Sequence, residues 1–448
     1  MTATLLALHA RTFASLRKHR NYRLFFAGQL VSVVGTWMQN IALAWLVVEL
    51  THSPVAIGLL AFCRFAPFTI FGLFSGVVAD RFDYRRLVIV MQIFSMLVSI
   101  TLAVVALTGT AELWQAYALA FLGGTAIVFD HPGRQALTFQ MVGRDELPNA
   151  VALNAGLFNA ARVVGPSVAG VVIAVAGVGV CFAVNAVSFL AVLTSLLLMR
   201  TEEFFPVARS EERPTIVSGV REGLAYARRS PQLRLLLIIG TVVSTVGFNF
   251  HVLVPVLASE TLHAGPEVFG ILSACFGSGA LLGALLSAAW ARASWRVLLL
   301  GTLGFSLALL ALAPQSLLAP SAALLFVTGV SFTLWTANSQ ALLQLNSPDQ
   351  LRGRMLSLWL FAFAGLTPLG GLVAGWLAEL GGTALAFSVT GGVCLAVSIA
   401  AGIVLARSRG VDVAREAVRM LPPRQAVRVY RRFGRPPSRR ERTARTRG

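Results

Sequence analysis

The chain has 448 residues, 56% of them hydrophobic and 12% charged, with a mean hydropathy of +0.75. So few charges cannot solvate the surface of an ordinary globular protein, which excludes a water-soluble enzyme or binding domain and makes lipid the main solvent. A net charge of +18 would suggest nucleic acid in a soluble chain, but the basic stretches lack interleaved aromatics and follow membrane topology instead, so no nucleic-acid partner is expected.

A spanning helix needs about 20 apolar residues. In chain order that window fits residues 24–48, 55–79, 87–108, 114–134, 150–176, 178–199, 233–257, 267–291, 296–313, 318–340, 355–378 and 383–406. The segment before the first window carries Arg11, Arg17, Lys18, Arg20 and Arg23 and has no short apolar core with a small-residue cleavage site, so no cleaved leader is expected. Gly177-Val178-Gly179 and Gly381-Gly382 leave room only for tight turns, which makes the flanking spans antiparallel. Cys63, Cys181, Cys275 and Cys394 are scattered through apolar windows without ligand spacing, so neither a metal, a disulfide nor any other cofactor is expected. The predicted fold is all-α and integral to the membrane: 12 transmembrane helices in two pseudo-symmetric six-helix bundles.

The basic residues test this assignment, because a wrong number of spans would scatter them over both sides. Of 37 Lys and Arg, 35 fall in the N-terminal segment, the alternate loops and the C-terminal tail, all on one side. The opposite loops carry Glu49, Glu112, Glu260, Glu267 and Glu379 and no Lys or Arg. Both termini are therefore expected in the cytoplasm and the protein in the cytoplasmic (inner) membrane. The remaining two, Arg64 and Arg162, lie near the middle of apolar windows.

The longest internal loop divides the chain into an N-terminal bundle (1–199), a cytoplasmic linker (200–232), a C-terminal bundle (233–407) and a basic tail (408–448). In the linker, Ile216, Val217, Val220 and Leu224 recur at helical spacing beside Arg221, Glu222, Arg228 and Arg229, as in an amphipathic surface helix. The tail, with 13 arginines, suits the anionic headgroups of membrane lipids. The two bundles repeat each other. At an offset of 205, Gln135-Ala136-Leu137 aligns with Gln340-Ala341-Leu342, Gly165 with Gly370 and Gly170 with Gly375; at 212, Pro54, Gly58 and Leu59 align with Pro266, Gly270 and Ile271. Duplicated six-span halves mark a rocking secondary transporter.

Four stretches carry a family resemblance: Gly35-Thr36-Trp37-Met38-Gln39 through Ser53-Pro54; Gly76-Val77-Val78-Ala79-Asp80-Arg81-Phe82-Asp83-Tyr84-Arg85-Arg86; Glu146 to Asn154; and Phe158 to Pro166. Together, over roughly residues 15 to 407, the chain resembles major facilitator superfamily exporters of the transmembrane secretion effector group, which includes siderophore exporters and macrolide efflux pumps. Gly72 and Gly76 would let two helices approach closely, and Asp80 ends the second window beside Arg81, Arg85 and Arg86. The resemblance implies a gating latch in which Asp80 meets the start of the eleventh span, near Arg354 and Met355. The second half lacks the acid, so one full latch is expected. Gly165, Pro166 and Gly170 lie in a stretch resembling the antiporter motif of drug exporters; in physical terms they are a small-residue packing face with a proline kink.

An uncompensated arginine at mid-depth costs at least about 2.5–3.5 kcal/mol. Arg64 and Arg162 must therefore face a cavity or an acidic partner, and Asp130 is the main intramembrane acid available. Asp130 and His131 are candidates for proton coupling, as is His251, because histidine titrates near neutral pH. Equally, Asp130 and Arg134 suit a network at the cytoplasmic gate. Gln39, Asn40, Asn159, Asn249 and Asn338 are further candidates for the cavity, although such residues serve more often as interhelical glue. Aromatic walls are available from Trp37, Trp45, Phe62, Phe248 and Trp335.

The expected function is export of a small amphiphilic molecule, a drug, siderophore or secondary metabolite, by alternating access. The resemblance adds exchange for protons. An importer or uncoupled facilitator of a small anionic metabolite is the alternative, and a non-transporting sensor or scaffold a remote one. No Walker A sequence or other enzyme signature occurs, and a monomer is expected.

Overall fold

A computed structural model describes residues 13–206, 216–289, 293–348 and 351–420. Among these the regular structure is entirely helical. Ten helices are long and apolar enough to cross a membrane. Two of them, Leu113–Ala176 and Leu358–Arg407, have 64 and 50 residues, far more than a core of about 30 Å takes up. Each is broken at a glycine of positive φ, Gly143 (69°) and Gly382 (66°). Divided there, the helices are the twelve segments read from the sequence, here called spans one to twelve. They are Arg20–Thr51, Pro54–Arg81, Tyr84–Leu107, the two parts of Leu113–Ala176, Val178–Leu197, Pro231–Thr261, Pro266–Ala289, Trp295–Leu312, Leu318–Leu345, the stretch from Arg352 to the Gly381-Gly382 break, and the helix beyond it.

Spans four and five differ from expectation. No loop separates 134 from 150; the helix continues through Pro132 and Pro148, and the reversal is confined to Gly143. A side-chain carbon there would come within 3.0 Å of the Phe205 ring, so glycine supplies both the positive φ and the space. Spans two, three, seven and nine open on N-cap side chains: Ser53, Asp83, Ser230 and Ser294 accept from the backbone N–H groups of Ala56, Arg86, Leu233 and Val297.

The chain forms two compact units, Met1–Val397 and Ser398–Gly448. The second is helical over residues 398–420. The tail from 421 onward, with its expected lipid contacts, lies outside the described residues, as do 1–12 and 207–215. The predicted linker helix spans Ile216–Arg229.

Among the described residues, Lys18, Arg20, Arg85 and Arg200 gather at one end of the first half, and Glu260 lies near Glu379 and His52 at the opposite end. At the basic end of the first half, Phe25, Leu137, Met141, Val192 and Leu196 form a buried core. The carboxy-terminal end of span six is capped by cations: Arg85 donates to the carbonyls of Leu196 (2.7 Å) and Leu197 (3.2 Å), and Arg20 to that of Leu198 (3.1 Å). These are the carbonyls a helix end leaves unpaired, at the negative pole of its dipole.

The halves meet at the acidic end through two seams. Spans two and eleven touch at Gly58, Gly371 and Gly375, and spans five and eight at Pro166, Gly170 and Gly270. A side-chain carbon at Gly375 would lie 2.6 Å from the Pro54 carbonyl oxygen, and one at Gly170 would lie 2.9 Å from that of Pro266. These are the residues the internal repeat pairs, so one seam is the pseudo-symmetric copy of the other. Glu379 reinforces the first seam by accepting from Ser53 Oγ (3.0 Å) and the Val55 N–H (3.3 Å), which sets a carboxylate on the positive end of span two. Deeper in, Thr69 Oγ1 donates to the Gly365 carbonyl at 2.6 Å. Towards the basic end the seams part: among the described residues nothing lies within 4 Å of where a side chain would start at Gly72, Gly76 or Gly156.

This geometry separates two classes of glycine. Overpacking costs about 1–3 kcal/mol, so Gly170→Leu and Gly375→Leu should lower the thermal unfolding temperature in detergent by several degrees. Gly76→Leu, with open space before it, should leave that temperature within a degree of the parent.

Candidate functional site

The centre of the bundle is shaped by two helices that are not regular. Span seven runs as α-helix over Pro231–Val242, widens into a π-turn at Val243–Gly247, leaves helical geometry at Phe248 and Asn249, and resumes at Phe250–Val256. Asn249 Nδ2 donates to the carbonyls of Thr245 and Val246, both at 2.9 Å, and so satisfies acceptors that the break releases. Span eleven widens in the same way at Phe361–Gly365, and the two π-turns are joined by Ser244 Oγ donating to the Ala362 carbonyl at 3.2 Å. Such turns inside helices concentrate at functional sites. Broken helices at mid-depth are also a recurrent way of building transporter sites.

Arg64 and Arg162 stand beside this region. Among the described residues the ion pairs are Lys18–Glu146, Arg134–Asp130 and Arg200–Glu203; neither mid-depth arginine has a carboxylate partner. Both rest on aromatic rings instead. Arg162 Cζ lies 4.8 Å from the centroid of Phe276, 5.7 Å from Trp37 and 5.8 Å from Phe332, and Arg64 Cζ lies 5.6 Å from Phe65. A guanidinium is attracted to the face of such rings. Both arginines are half-buried, on the inner seam helices, five and two.

The second half faces them with an aromatic cluster. Phe248 stacks on Phe332 (4.5 Å, 12°) and Trp359 on Phe363 (5.1 Å, 11°), while Trp335 lies 5.7 Å from Phe332. His251 sits between Phe65 (5.0 Å) and Phe248 (6.1 Å). Its Nε2 is buried without a hydrogen-bond partner, as are Trp335 Nε1 and Asn249 Oδ1.

Several expected cavity residues make hydrogen bonds to neighbouring helices or to their own. Gln39 Oε1 accepts from Ser99 Oγ (2.5 Å) and Asn185 Nδ2 (2.7 Å), a knot that ties spans one, three and six. Asn338 Oδ1 accepts from the Ser294 N–H (3.2 Å) at the start of span nine. Asn159 Nδ2 donates to its own helix at the Ala155 carbonyl. Asn40 is half-buried, and Asn249 lies at the break in span seven. Trp45 stacks on Phe269 at the acidic end. There, a cavity of about 410 Å³ lined by Trp45, Glu49, His52 and His263 lies apart from the arginines.

Asp130 is spent locally. Arg134 Nε donates to Asp130 Oδ2 at 2.7 Å and Gln92 Nε2 to Asp130 Oδ1 at 3.0 Å, so the acid compensates neither mid-depth arginine; His131 beside it is exposed. The latch residues do not converge here. Asp80 accepts from the Tyr84 hydroxyl at 3.1 Å, Arg85 caps span six, Arg81 and Arg86 are exposed, and Gly76 faces open space. The Arg354 side chain lies outside the described residues. Of the antiporter-like motif, Gly165 packs against Trp37 and Val34 of span one and Gly170 against span eight, so the motif forms both faces of one tight helix. The sequence reading missed Phe65, Phe276, Phe332, Phe363 and Thr69. The Gly247-Phe248-Asn249 triplet, a glycine and an asparagine inside an apolar window, was the available sign of the break.

The comparisons agree with this architecture. The family model described as transmembrane secretion effector matches residues 10–434. A staphyloferrin A transporter of Staphylococcus aureus is 26% identical, covering 82% of this chain and 92% of its own length. A macrolide efflux protein A of Streptococcus pyogenes is 23% identical, covering 81% and 92%. The solved structure of a POT family transporter in complex with 5-aminolevulinic acid matches at a TM-score of 0.70 with 12% identity, covering 88% of this chain and 97% of that one, a likeness of fold. The match over nearly the whole length, on a bundle of apolar helices joined by paired glycine seams, makes this chain a multi-pass membrane transporter that belongs to the transmembrane secretion effector family of the major facilitator superfamily.

Proposed function

We propose that the chain exports a small amphiphilic molecule, such as a drug, siderophore or secondary metabolite, by alternating access and in exchange for protons. The observation that carries this reading is the pair of arginines, Arg64 and Arg162, without carboxylate partners between halves that touch at one end and part at the other. Charge at that depth is retained only where it meets water or a ligand. Relatives named for staphyloferrin A transport and macrolide efflux support a small-molecule cargo and an outward direction.

With the basic end in the cytoplasm, as the positive-inside rule requires, the parted end is the loading side of an exporter. In the opposite state Gly72 and Gly76 take up the close packing that Gly170 and Gly375 have here, and Asp80 with Arg81, Arg85 and Arg86 latches the cytoplasmic end. Proton exchange is assigned to Asp130, with His131 beside it and His251 as the mid-depth alternative. A proton on Asp130 removes the charge that holds Arg134 and loosens the cytoplasmic side of the first half. The arginines favour an anionic or acceptor-rich cargo, which would equally suit a facilitator of a small anionic metabolite; proton movement separates the two.

In inverted vesicles carrying a pH dye, a macrolide and a siderophore should each be tested for dissipation of an imposed proton gradient. Active export by wild type, with at least a tenfold loss in Asp130→Asn, supports exchange through that acid; cargo movement without proton flux points to the facilitator. Arg64→Gln and Arg162→Gln are expected to reduce transport at least tenfold while the protein remains folded by size-exclusion chromatography. Unchanged transport in both variants removes the substrate role of the arginines.

A further inference from the structure

We infer that the mid-depth site takes an aromatic anion, a planar ring bearing a carboxylate or comparable group. This rests on the reading of Arg64 and Arg162 as substrate contacts and adds the chemistry of their surroundings.

The two guanidiniums are the ends of one strip of rings. From Arg162 it runs through Phe332, Phe248, His251 and Phe65 to Arg64, with successive separations of 5.8, 4.5, 6.1, 5.0 and 5.6 Å. The strip crosses between halves twice, at Arg162 with Phe332 and at Phe65 with His251. A ring on the flat face of a guanidinium leaves the in-plane N–H edge free, and that edge is the part shaped to bind a carboxylate through two parallel hydrogen bonds. Arg162, with rings of Trp37, Phe276 and Phe332 around it and no carboxylate partner among the described residues, keeps its donors for an acceptor.

A bare inorganic anion would satisfy that edge but make no use of the half-buried rings of Phe65 and Phe248. A saturated amphiphile would cover the strip without the favourable geometry of ring against ring. A cation is disfavoured by two uncompensated positive charges and by the commitment of Asp130 to Arg134. His251 Nε2, buried in the middle of the strip without a partner, offers one more polar contact to an oxygen on the ligand; a buried polar atom without a protein partner calls for one from outside. Ring and anion together match every group present.

The test is calorimetric titration of the full-length protein in lipid nanodiscs with 2-naphthoate, cyclohexanecarboxylate and 2-naphthylmethylammonium. The expected order places 2-naphthoate at least tenfold tighter than either of the others. Phe332→Leu should abolish its advantage over cyclohexanecarboxylate, and Phe65→Leu, at a half-buried position, serves the same purpose should the first variant fold poorly. Equal affinity for the two carboxylates, or binding of the ammonium as tight as that of 2-naphthoate, overturns the inference. If Arg162→Gln still weakens both carboxylates in that case, only the ring requirement has failed. If Arg64→Gln and Arg162→Gln leave carboxylate binding unchanged, the reading beneath it has failed as well.

Discussion

Two seams of bare backbone hold the halves together, spans two and eleven at Gly58, Gly371 and Gly375 and spans five and eight at Pro166, Gly170 and Gly270. Lipid gives apolar helices no hydrophobic reason to associate, so contact this close relies on dispersion and weak C–H···O interactions, which only residues without side chains permit. The seams run from the acidic end down to mid-depth, where a side-chain carbon at Gly277 would lie 2.7 Å from the Arg162 carbonyl oxygen. Arg64 and Arg162 stand at the inner limit of this close packing, half-buried and without acids among the described residues.

The arrangement joins irregular backbone to unpaired charge. The break at Phe248-Asn249 and the π-turn at Phe361–Gly365 release acceptors at mid-depth, and each is taken up by a short polar side chain: Asn249 on its own helix, Ser244 between spans seven and eleven, Thr69 across the halves. With the backbone satisfied in this way, the rings of Phe248, Phe332 and Phe363 are left to form a wall. His251 Nε2, Trp335 Nε1 and Trp359 Nε1, buried without protein partners, belong to the same wall. Polar groups in the centre therefore divide into those that repair helices and those that remain for a ligand.

Much of this was legible in the sequence, and the limits have physical causes. Hydropathy windows found the spans because lipid tests composition over about 20 residues, and the repeat offsets named the seam glycines before their contacts were known. Charge partition isolated Arg64 and Arg162, since orientation explains every other basic residue. Windows do not sense backbone geometry, so the interruptions in spans seven and eleven left no mark on hydropathy, and only the Gly247-Phe248-Asn249 triplet hinted at the first; the compression of the four-to-five connection into Gly143 was equally invisible to them. Nor does sequence position say where on a helix a side chain points without knowing its neighbours. Gln39, Asn159 and Asn338 have the right chemistry for a cavity, and their amides bond to Ser99 and Asn185, to their own helix and to the start of span nine.

In the alternating-access cycle proposed for this chain, the Thr69 to Gly365 hydrogen bond, the deepest polar contact across the seams among the described residues, marks a pivot. A rocking body turns about a fulcrum, and displacement grows with distance from it. With arms of about 15 Å on either side, half the thickness of a bilayer core, a tilt of about 20° shifts the rim by about 5 Å. Five residues up the same helix Arg64 sits about 7.5 Å away and moves half as far. On the alternating-access reading proposed above, cargo held at Arg64 is spared half of the motion that exposes it first to one side of the membrane and then to the other.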